Sequence, residues 1–160
     1  MNIKFYAVGG TIDKVYFDRM SDYQVGESML VDILRQANVT LDYECDSLIH
    51  KDSLDMTDAD RQMLFERIES DGNQRIVVTH GTDTMIETAR KLKGIENKTV
   101  VLVGAMQPAK FKSSDAEFNV GFAVAAVQTL PPGVYIAMNG RIFDPDKVNK
   151  HRELNRFDDV

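Results

Sequence analysis

The sequence predicts a doubly wound α/β domain, flavodoxin-like or Rossmann-like, with a mostly parallel sheet of about five strands and helices on both faces. Two observations favour this fold class. Short apolar runs alternate with segments of helical periodicity, and short loops separate them. The central runs are continuously apolar rather than alternating, as strands covered on both faces are. A length of 160 residues and a hydrophobic fraction of 43% suffice for a single domain with one core.

Five short apolar runs are predicted to form the strands of this sheet. In chain order they are residues 3–8, 43–49, 76–79, 99–103 and 134–138. The run at 43–49 is the weaker strand candidate. After Asn139 the chain becomes charged and loses its periodicity, which predicts a loop and a tail.

Four helices are predicted between these strands, at residues 27–38, 57–70, 84–93 and 118–130. The first has an apolar face with spacings near 3.6, formed by Met29, Leu30, Ile33, Leu34 and Ala37. Thr57 supplies the N-cap of the second helix. The residues of this second helix that are predicted to face inward are Met63, Leu64 and Ile68.

Capping patterns predict where the third and fourth helices begin. Thr84 with Glu87 forms a capping-box pattern, and so does Ser114 with Glu117. The fourth helix is apolar nearly all round, so it is predicted to be well buried. A Pro-Pro-Gly sequence at 131–133 ends it.

Composition excludes several classes of function. A formal net charge of -6 argues against general binding of nucleic acids or anionic membranes. Three histidines and one cysteine, Cys45, offer neither a zinc site nor an intramolecular disulfide, and no metal or organic cofactor is implied. The apolar segment at the N-terminus is too short for a signal peptide or a membrane span. We therefore expect a cytoplasmic protein of one domain, residues 1–160. The initial Met1 and the charged ending favour a natural short chain, and a truncated form of a longer protein is the alternative.

Polar residues collect where the predicted strands end. Ligands of open parallel sheets bind outside the carboxyl ends of the strands. The five ends carry Gly9-Gly10-Thr11, Lys51-Asp52-Ser53, Gly81-Thr82-Asp83, Gly104-Ala105-Met106-Gln107 and Asn139-Gly140. Three of the five ends have a hydroxyl, and two of those have a carboxylate beside it. This convergence predicts a polar site at one edge of the sheet.

Local context alone leaves other interpretations open for several of these residues. Thr84 is explained as a helix cap, His80 is more often a packed histidine than a catalytic one, and Tyr23 stands in a polar loop. Lys150, in a charged tail, is by itself a solvated lysine. No GxGxxG, GxxxxGK[ST] or GxSxG pattern is present, so a dinucleotide, phosphate or serine-hydrolase site gains little support.

Several motifs resemble the bacterial-type L-asparaginases. They are GGTI at 9–12, SDYQVG at 21–26, DSLDM at 52–56, HGTDTMIETA at 80–89 and VGAMQP at 103–108. Their order and spacing are similar to those of that family's N-terminal domain, and the resemblance extends to MNGRIFDPDKVNK at 138–150. It implies hydrolysis of a small amide.

The resemblance also implies a role for each matching residue. Thr11 corresponds to the family's nucleophile and Tyr23 to the tyrosine that activates it. Thr82, Asp83 and Lys150 correspond to a second catalytic triad. The residues expected to bind substrate are Ser53, Asp83, Gly81 and Gly10, with Ser53 holding the α-carboxylate.

Three departures from the family pattern alter these expectations. Asp13 stands where the family usually has alanine, and its charge raises the cost of an alkoxide at Thr11 unless it is paired, for example with Lys14. Leu54 replaces a polar residue, usually glutamine, so a substrate contact is lost or becomes apolar. The family's smaller C-terminal domain, which completes neighbouring active sites across a dimer, is expected to be absent here.

Three hypotheses remain open at this stage. The first is an asparaginase-type amidohydrolase with weak or altered activity on L-asparagine or a related small amide. The second is a non-catalytic or regulatory module that binds an amino acid or a dicarboxylate. The third is a nucleotide or phosphate binder on the same fold. Self-association into a homo-oligomer, through a sheet edge or helix faces, is a further expectation.

Overall fold

A computed structural model describes residues 1–16, 23–26 and 28–160. Its main sheet has six strands in the order β4-β1-β5-β6-β7-β8. These strands are β1 (Asn2–Gly9), β4 (Asp42–Lys51), β5 (Arg75–Thr79), β6 (Thr99–Val103), β7 (Gly133–Met138) and β8 (Arg141–Phe143). All neighbours pair in parallel except β7 and β8, which are antiparallel. The predicted α/β class and the mostly parallel sheet are therefore confirmed.

The helices lie between the strands in the predicted order. They are α1 (Leu30–Gln36), α2 (Asp58–Ser70), α3 (Met85–Leu92) and α4 (Ala116–Thr129). α1 packs against α4, and α2 packs against α3. Every residue of β6 is buried, which requires cover on both faces of the sheet. In the described part of the chain, no helix has the length and apolarity needed to cross a bilayer.

Two further pairs of short strands flank the main sheet. They are β2 (Lys14–Tyr16) with β3 (Tyr23–Val25), and β9 (Val148–His151) with β10 (Arg156–Asp159). The prediction of a loop and tail after Asn139 was therefore wrong. Asn139 and Gly140 both have positive φ, 55° and 72°, and they form the two-residue turn between β7 and β8. Asn-Gly is the preferred sequence for such a hairpin, so these two residues are a local signal of the turn between β7 and β8.

Some helix predictions also need correction. Asn38, with φ of 51°, lies beyond the end of α1, because a left-handed residue stops a helix. Residue 27, the predicted start, lies outside the described residues. Met63 on α2 is 42% exposed rather than inward-facing. Phe118 on α4 is 63% exposed, so that helix is not buried all round.

One predicted N-cap is confirmed and two capping boxes are wrong. Thr57 and Asp60 form a reciprocal capping box at the start of α2. Neither α3 nor α4 has a side-chain cap of this kind. The Asp115 carboxylate instead accepts hydrogen bonds from the backbone N–H groups of Met106 and Gln107, at 3.0 and 3.1 Å. These hydrogen bonds hold the loop after β6 in place. A contact between distant residues therefore takes the place of the predicted capping box.

Candidate functional site

The ends of three adjacent strands meet at one point on the sheet edge. The Gly10 backbone N–H donates to the Lys51 carbonyl at 2.9 Å, which ties the end of β1 to the end of β4. Gly10 has φ of +94° and lies directly against the backbone of Gly81. A Cβ on Gly81 would stand 2.6 Å from the Cβ and Oγ of Ser53. Both glycines are therefore required by close approach, and they bring Thr11, Ser53 and Thr82 to one edge.

Lys150 binds two of the other predicted site residues. Its Nζ donates to Oγ1 of Thr82 and to Oδ1 of Asp83, each at 2.7 Å. The lysine side chain is only 13% exposed. The local interpretation of a solvated tail lysine was wrong, because tertiary structure returns residue 150 to the end of β5. Asp83 is therefore the charged partner of Lys150.

The β9–β10 hairpin places Lys150. Val148 and Phe157 are buried, and Phe157 lies opposite Lys150 in the strand pair. The Phe157 backbone N–H donates to Oδ1 of Asn139 at 2.9 Å, so the end of β7 anchors the hairpin. Asn139, one of the strand-end residues identified from the sequence, thus makes a structural contact that supports the position of Lys150.

Ser53 combines deep burial with an unused hydroxyl. It is 1% exposed, and its Oγ has no hydrogen-bond partner among the described residues. Thr84, predicted as a cap, instead donates its hydroxyl to the Ser53 carbonyl at 2.8 Å. The residue after Ser53, Leu54, has 62% of its surface exposed. A buried hydroxyl without a partner is costly unless a ligand or water completes it, so Ser53 is a candidate contact for a bound molecule.

Thr11 and Tyr23 are only partly described. Thr11 begins a one-turn 3-10 helix, Thr11–Asp13, and is half-buried. The backbone of Tyr23 lies in β3 and pairs with Tyr16 in β2. The Tyr23 side chain lies outside the described part of the chain. The predicted Thr11–Tyr23 pair therefore stays a prediction.

His80 is a structural histidine. It is fully buried, its Nδ1 lies 2.7 Å from the Gly81 carbonyl, and its Nε2 lies 2.8 Å from Oγ1 of Thr88. The Thr88 hydroxyl also accepts from Nε of Arg61 at 3.1 Å. Burial, reinforced by the nearby Arg61 charge, lowers the pKa of His80 to about 4. The neutral ring therefore donates to Gly81 and holds the turn that carries Thr82 and Asp83.

Asp13 is buried, and it forms no ion pair with any of the described residues. One carboxylate oxygen accepts from the Met29 backbone N–H at 2.9 Å, and the Asp13 carbonyl accepts from the Gly26 N–H at 2.9 Å. Lys14, the expected partner, instead binds Asp52 at 2.6 Å. Burial raises the pKa of Asp13 to about 6, although the Met29 bond opposes that rise. Asp13 therefore anchors the segment that follows Thr11. Because the carboxyl group is buried, its ionised form lowers the free energy of unfolding.

Asp13→Asn is expected to stabilise the protein at neutral pH. The pKa of Asp13 rises from 3.8 to about 6 in the folded state, so the protonated form favours folding. The contribution of this carboxyl group to the free energy of unfolding therefore declines as the pH rises from about 4 to about 6. The variant should exceed the wild type by up to about 3 kcal/mol in free energy of unfolding at pH 7.5, and the difference should vanish near pH 4. Denaturant unfolding across this range measures it.

Asp32→Asn provides the control for this prediction. Asp32 lies on α1 and is exposed, so the same chemical change should leave stability nearly unchanged at every pH. A difference between Asp13→Asn and the wild type that did not vary with pH would contradict the assigned pKa.

Sequence reasoning missed Arg152. Its Nε lies 3.6 Å from Oδ1 of Asp83, the oxygen that Lys150 also contacts. Arg152 lies in the turn after β9 (Val148–His151), where no local pattern in the sequence relates it to Lys150. The network of Asp115, Asn119 and Gly104 was also missed. Asn119 donates to the Gly104 carbonyl at 3.0 Å and to the Asp115 carboxylate at 2.8 Å.

A separate cleft of about 560 Å³ lies beside α1 and the loop after β6. Its lining includes Met29, Asp32, Lys110, Lys112 and Glu117, and contains none of the predicted site residues. The polar strand-end site, and not this cleft, holds the residues with candidate chemistry.

Comparison with known proteins identifies relatives along nearly the whole chain. Residues 2–158 match the family model described as Asparaginase, N-terminal. L-asparaginase 2 of Escherichia coli (strain K12) is 33% identical over 160 residues, covering 93% of this chain and 46% of that protein. The D subunit of the glutamyl-tRNA(Gln) amidotransferase of Methanococcus vannielii is 44% identical over 85 residues, covering 52% of this chain and 20% of that protein.

The fold is shared with a solved asparaginase. The thermostable L-asparaginase from Thermococcus kodakarensis superposes with a TM-score of 0.86 at 27% sequence identity, covering all of this chain and 51% of that one. The chain thus spans about half the length of the asparaginases it matches. A family model that matches residues 2–158 and a shared fold together show that this chain belongs to the asparaginase family.

Proposed function

We propose that this chain is an amidohydrolase that hydrolyses L-asparagine or a related small amide and releases ammonia through threonine-based catalysis. The observation that carries the proposal is the contact of Lys150 Nζ with both Thr82 and Asp83, at 2.7 Å each. A lysine side chain that contacts both a hydroxyl and a carboxylate can pass a proton between them.

In the proposed reaction, one threonine is the nucleophile and other site residues transfer the proton. A threonine hydroxyl, assigned to Thr11, attacks the amide carbon and forms an ester, and the nitrogen takes up a proton and leaves as ammonia. Water then hydrolyses the ester and restores the hydroxyl. Thr82 and Lys150 supply and recover the proton. Backbone N–H groups after Gly81 stabilise the oxyanion, and Tyr23 is proposed to activate Thr11.

Substrate binding is assigned to the remaining strand-end residues. The buried Ser53 hydroxyl, which has no hydrogen-bond partner in the described part of the chain, suits a substrate carboxylate. Gly10 and Gly81 lie in contact with each other and against Ser53, and we assign them to substrate binding because they hold the Ser53 hydroxyl in place. Asp83 is available for a positively charged or hydrogen-donating substrate group. A cytoplasmic location and a homo-oligomeric state also remain proposals.

Thr82→Val tests this function, with Thr82→Ser as the matched variant that keeps the hydroxyl. Ammonia release from L-asparagine, L-glutamine and a panel of ω-amides is measured for each. We expect the valine variant to lose at least about a hundredfold in rate, because it removes the proton path, and the serine variant to stay within about tenfold of the wild type.

Two results would contradict catalysis at this site. One is ammonia release that survives in Thr82→Val, and the other is no release from any amide by the wild type. The second result, combined with binding of a dicarboxylate, would favour the alternative of a non-catalytic binding module. The buried Ser53 hydroxyl is compatible with either function.

A further inference from the structure

Arg61 is a buried cation on the core-facing side of α2. It is 6% exposed, and it shares the buried side of the helix with Leu64 and Ile68. A charged side chain leaves water at a large cost unless other groups bond to it. The proposed reaction gives Arg61 no task, so its role in the molecule follows from the groups that it binds.

One set of hydrogen bonds joins Arg61 to the turn that carries Ser53, residues 53–56, which we call the Ser53 turn. Nη1 of Arg61 donates to the Met56 carbonyl at 3.3 Å. The Met56 backbone N–H in turn donates to the Ser53 carbonyl, also at 3.3 Å, and ends the one-turn 3-10 helix Ser53–Asp55. Arg61 therefore holds the residue that closes this turn.

A second set joins Arg61 to residues 80–84 after β5, which we call the Thr82 turn. Nε of Arg61 donates to Oγ1 of Thr88 at 3.1 Å, and Oγ1 of Thr88 lies 2.8 Å from Nε2 of His80. Nδ1 of His80 lies 2.7 Å from the Gly81 carbonyl, which can only accept. Nδ1 therefore carries the proton, and Nε2 of the neutral ring accepts from the Thr88 hydroxyl. Every hydrogen bond from Arg61 to Gly81 thus runs in one direction.

The two turns also contact each other. A Cβ on Gly81 would stand 2.6 Å from Oγ of Ser53 and 3.1 Å from its backbone nitrogen. Gly81 directly precedes Thr82 and Asp83. A shift of either turn would therefore move the Ser53 hydroxyl relative to Thr82 and Asp83.

Arginine suits the junction between the two turns. Its guanidinium is planar and has N–H donors in several fixed directions, whereas the lysine amine is a single point on a flexible stem. Nη1 of Arg61 also lies 3.4 Å from Asp58, and Nη2 lies 3.2 Å from Glu87. The charge is thus paired with two exposed acids, while the hydrogen bonds to Met56 and Thr88 extend into the protein.

We propose that Arg61 is a positioning residue that holds the Ser53 turn and the Thr82 turn in the arrangement that amide hydrolysis requires. It touches no reacting atom. It acts through Met56 on one side, and through Thr88 and His80 on the other. The inference rests on the proposed amidohydrolase function and adds a residue from outside the strand-end site.

Amide hydrogen exchange of the full chain, followed by mass spectrometry, tests this role without turnover. Arg61→Met should raise the exchange rate at least about tenfold in both turns, and Thr88→Val should do so in the Thr82 turn alone. Thr88→Ser keeps the hydroxyl and should exchange like the wild type. Arg61→Lys keeps the charge but cannot donate in both directions, so it should raise the rate in at least one turn. Arg67→Met is the control, because Arg67 lies on the same helix with its side chain 58% exposed.

Kinetics of the same variants separate positioning from a loss of stability, which thermal unfolding measures. With the amide that the wild type hydrolyses fastest, Arg61→Met should lower kcat/KM about a hundredfold, because small displacements of reacting groups are costly. Thr88→Val should lower kcat with little change in KM. Only Arg61→Met should also raise KM, because Ser53 is assigned to the substrate carboxylate. Adding Thr88→Val to Arg61→Met should lower kcat by less than about threefold more, because both residues act through one path.

The outcomes separate the role of Arg61 from the proposed function. Faster exchange along the whole chain, unchanged exchange in both turns, or a Thr88→Ser variant as defective as Thr88→Val would overturn the inference. So would a folded Arg61→Met variant that kept more than about a third of the wild-type kcat/KM. Exchange that changed only in the two turns, in a protein that hydrolyses no amide, would support the positioning by Arg61 and contradict the proposed catalysis.

Discussion

Replacing Lys150 with methionine is expected to lower kcat/KM for amide hydrolysis by about 10³–10⁴-fold. The methionine side chain has nearly the same length and can fill the same half-buried space. It cannot exchange a proton with the Thr82 hydroxyl, which lies 2.7 Å from the lysine amine in the native protein. It also removes the closer of the two cations that contact Asp83. Steady-state ammonia release measures the loss.

Lys147→Met is the control for this substitution. Lys147 precedes the same hairpin and is exposed, so its loss should change kcat/KM by less than about twofold. Thermal unfolding of both variants shows whether the fold is retained. A Lys150→Met variant that kept its fold and more than a tenth of the wild-type rate would rule out proton transfer through this amine.

The double variant Thr82→Val, Lys150→Met provides a sharper test. If Thr82 and Lys150 act as one proton path, the second substitution should add little to the first. If the loss of kcat/KM in the double variant were the product of the two single losses, the two residues would act separately, despite their hydrogen bond.

Gly10→Ala is expected to lower the free energy of unfolding by roughly 3–6 kcal/mol. Gly10 has φ of +94°, a conformation that alanine adopts at a cost. The added Cβ would also overlap the backbone of Gly81, which cannot move away as a flexible side chain could. At this chain length Tm should fall by at least about 10 °C, as measured by calorimetry.

The same substitution should reduce activity in the protein that remains folded. Gly81 can yield to the new methyl group only by shifting the turn that holds Thr82. Gly72→Ala is the control, because a Cβ there has no heavy atom within 4 Å. Its stability should change by less than about 0.5 kcal/mol. A Gly10→Ala variant as stable as Gly72→Ala would contradict the tight contact between strand ends.

Local patterns predicted most of the fold. The strands β1, β5, β6 and β7 and the helices between the parallel strands appear in the sequence as apolar runs and helical periodicity, which depend on neighbours in the chain. The two capping boxes were predicted wrongly because contacts between distant residues compete there with local ones. Thr84 has the pattern of a cap, yet its hydroxyl donates to Ser53, and Asp115 binds the loop after β6.

The segment after Asn139 shows a second kind of error. Its short strands carry charged residues on their exposed faces, so their apolar content is too low to reveal a period. Buried Phe143 and Phe157, whose ring centroids are 6.3 Å apart, stabilise it through contacts that the linear pattern does not contain. The Asn-Gly turn was the one local signal, and it predicts the β7–β8 hairpin correctly.

The sequence by itself determined the fold class, the family and the polar strand ends, because each depends on residue order and spacing. Only the tertiary structure decided which side chains meet beyond the triad that the resemblance implies. It gave the contacts of Lys150 with Thr82 and Asp83, and it showed that Arg152 shares the Asp83 carboxylate and that Lys14 binds Asp52 instead of Asp13. Such contacts join residues far apart in the chain, and ion pairs of this kind depend on distances of a few ångströms that no local pattern specifies.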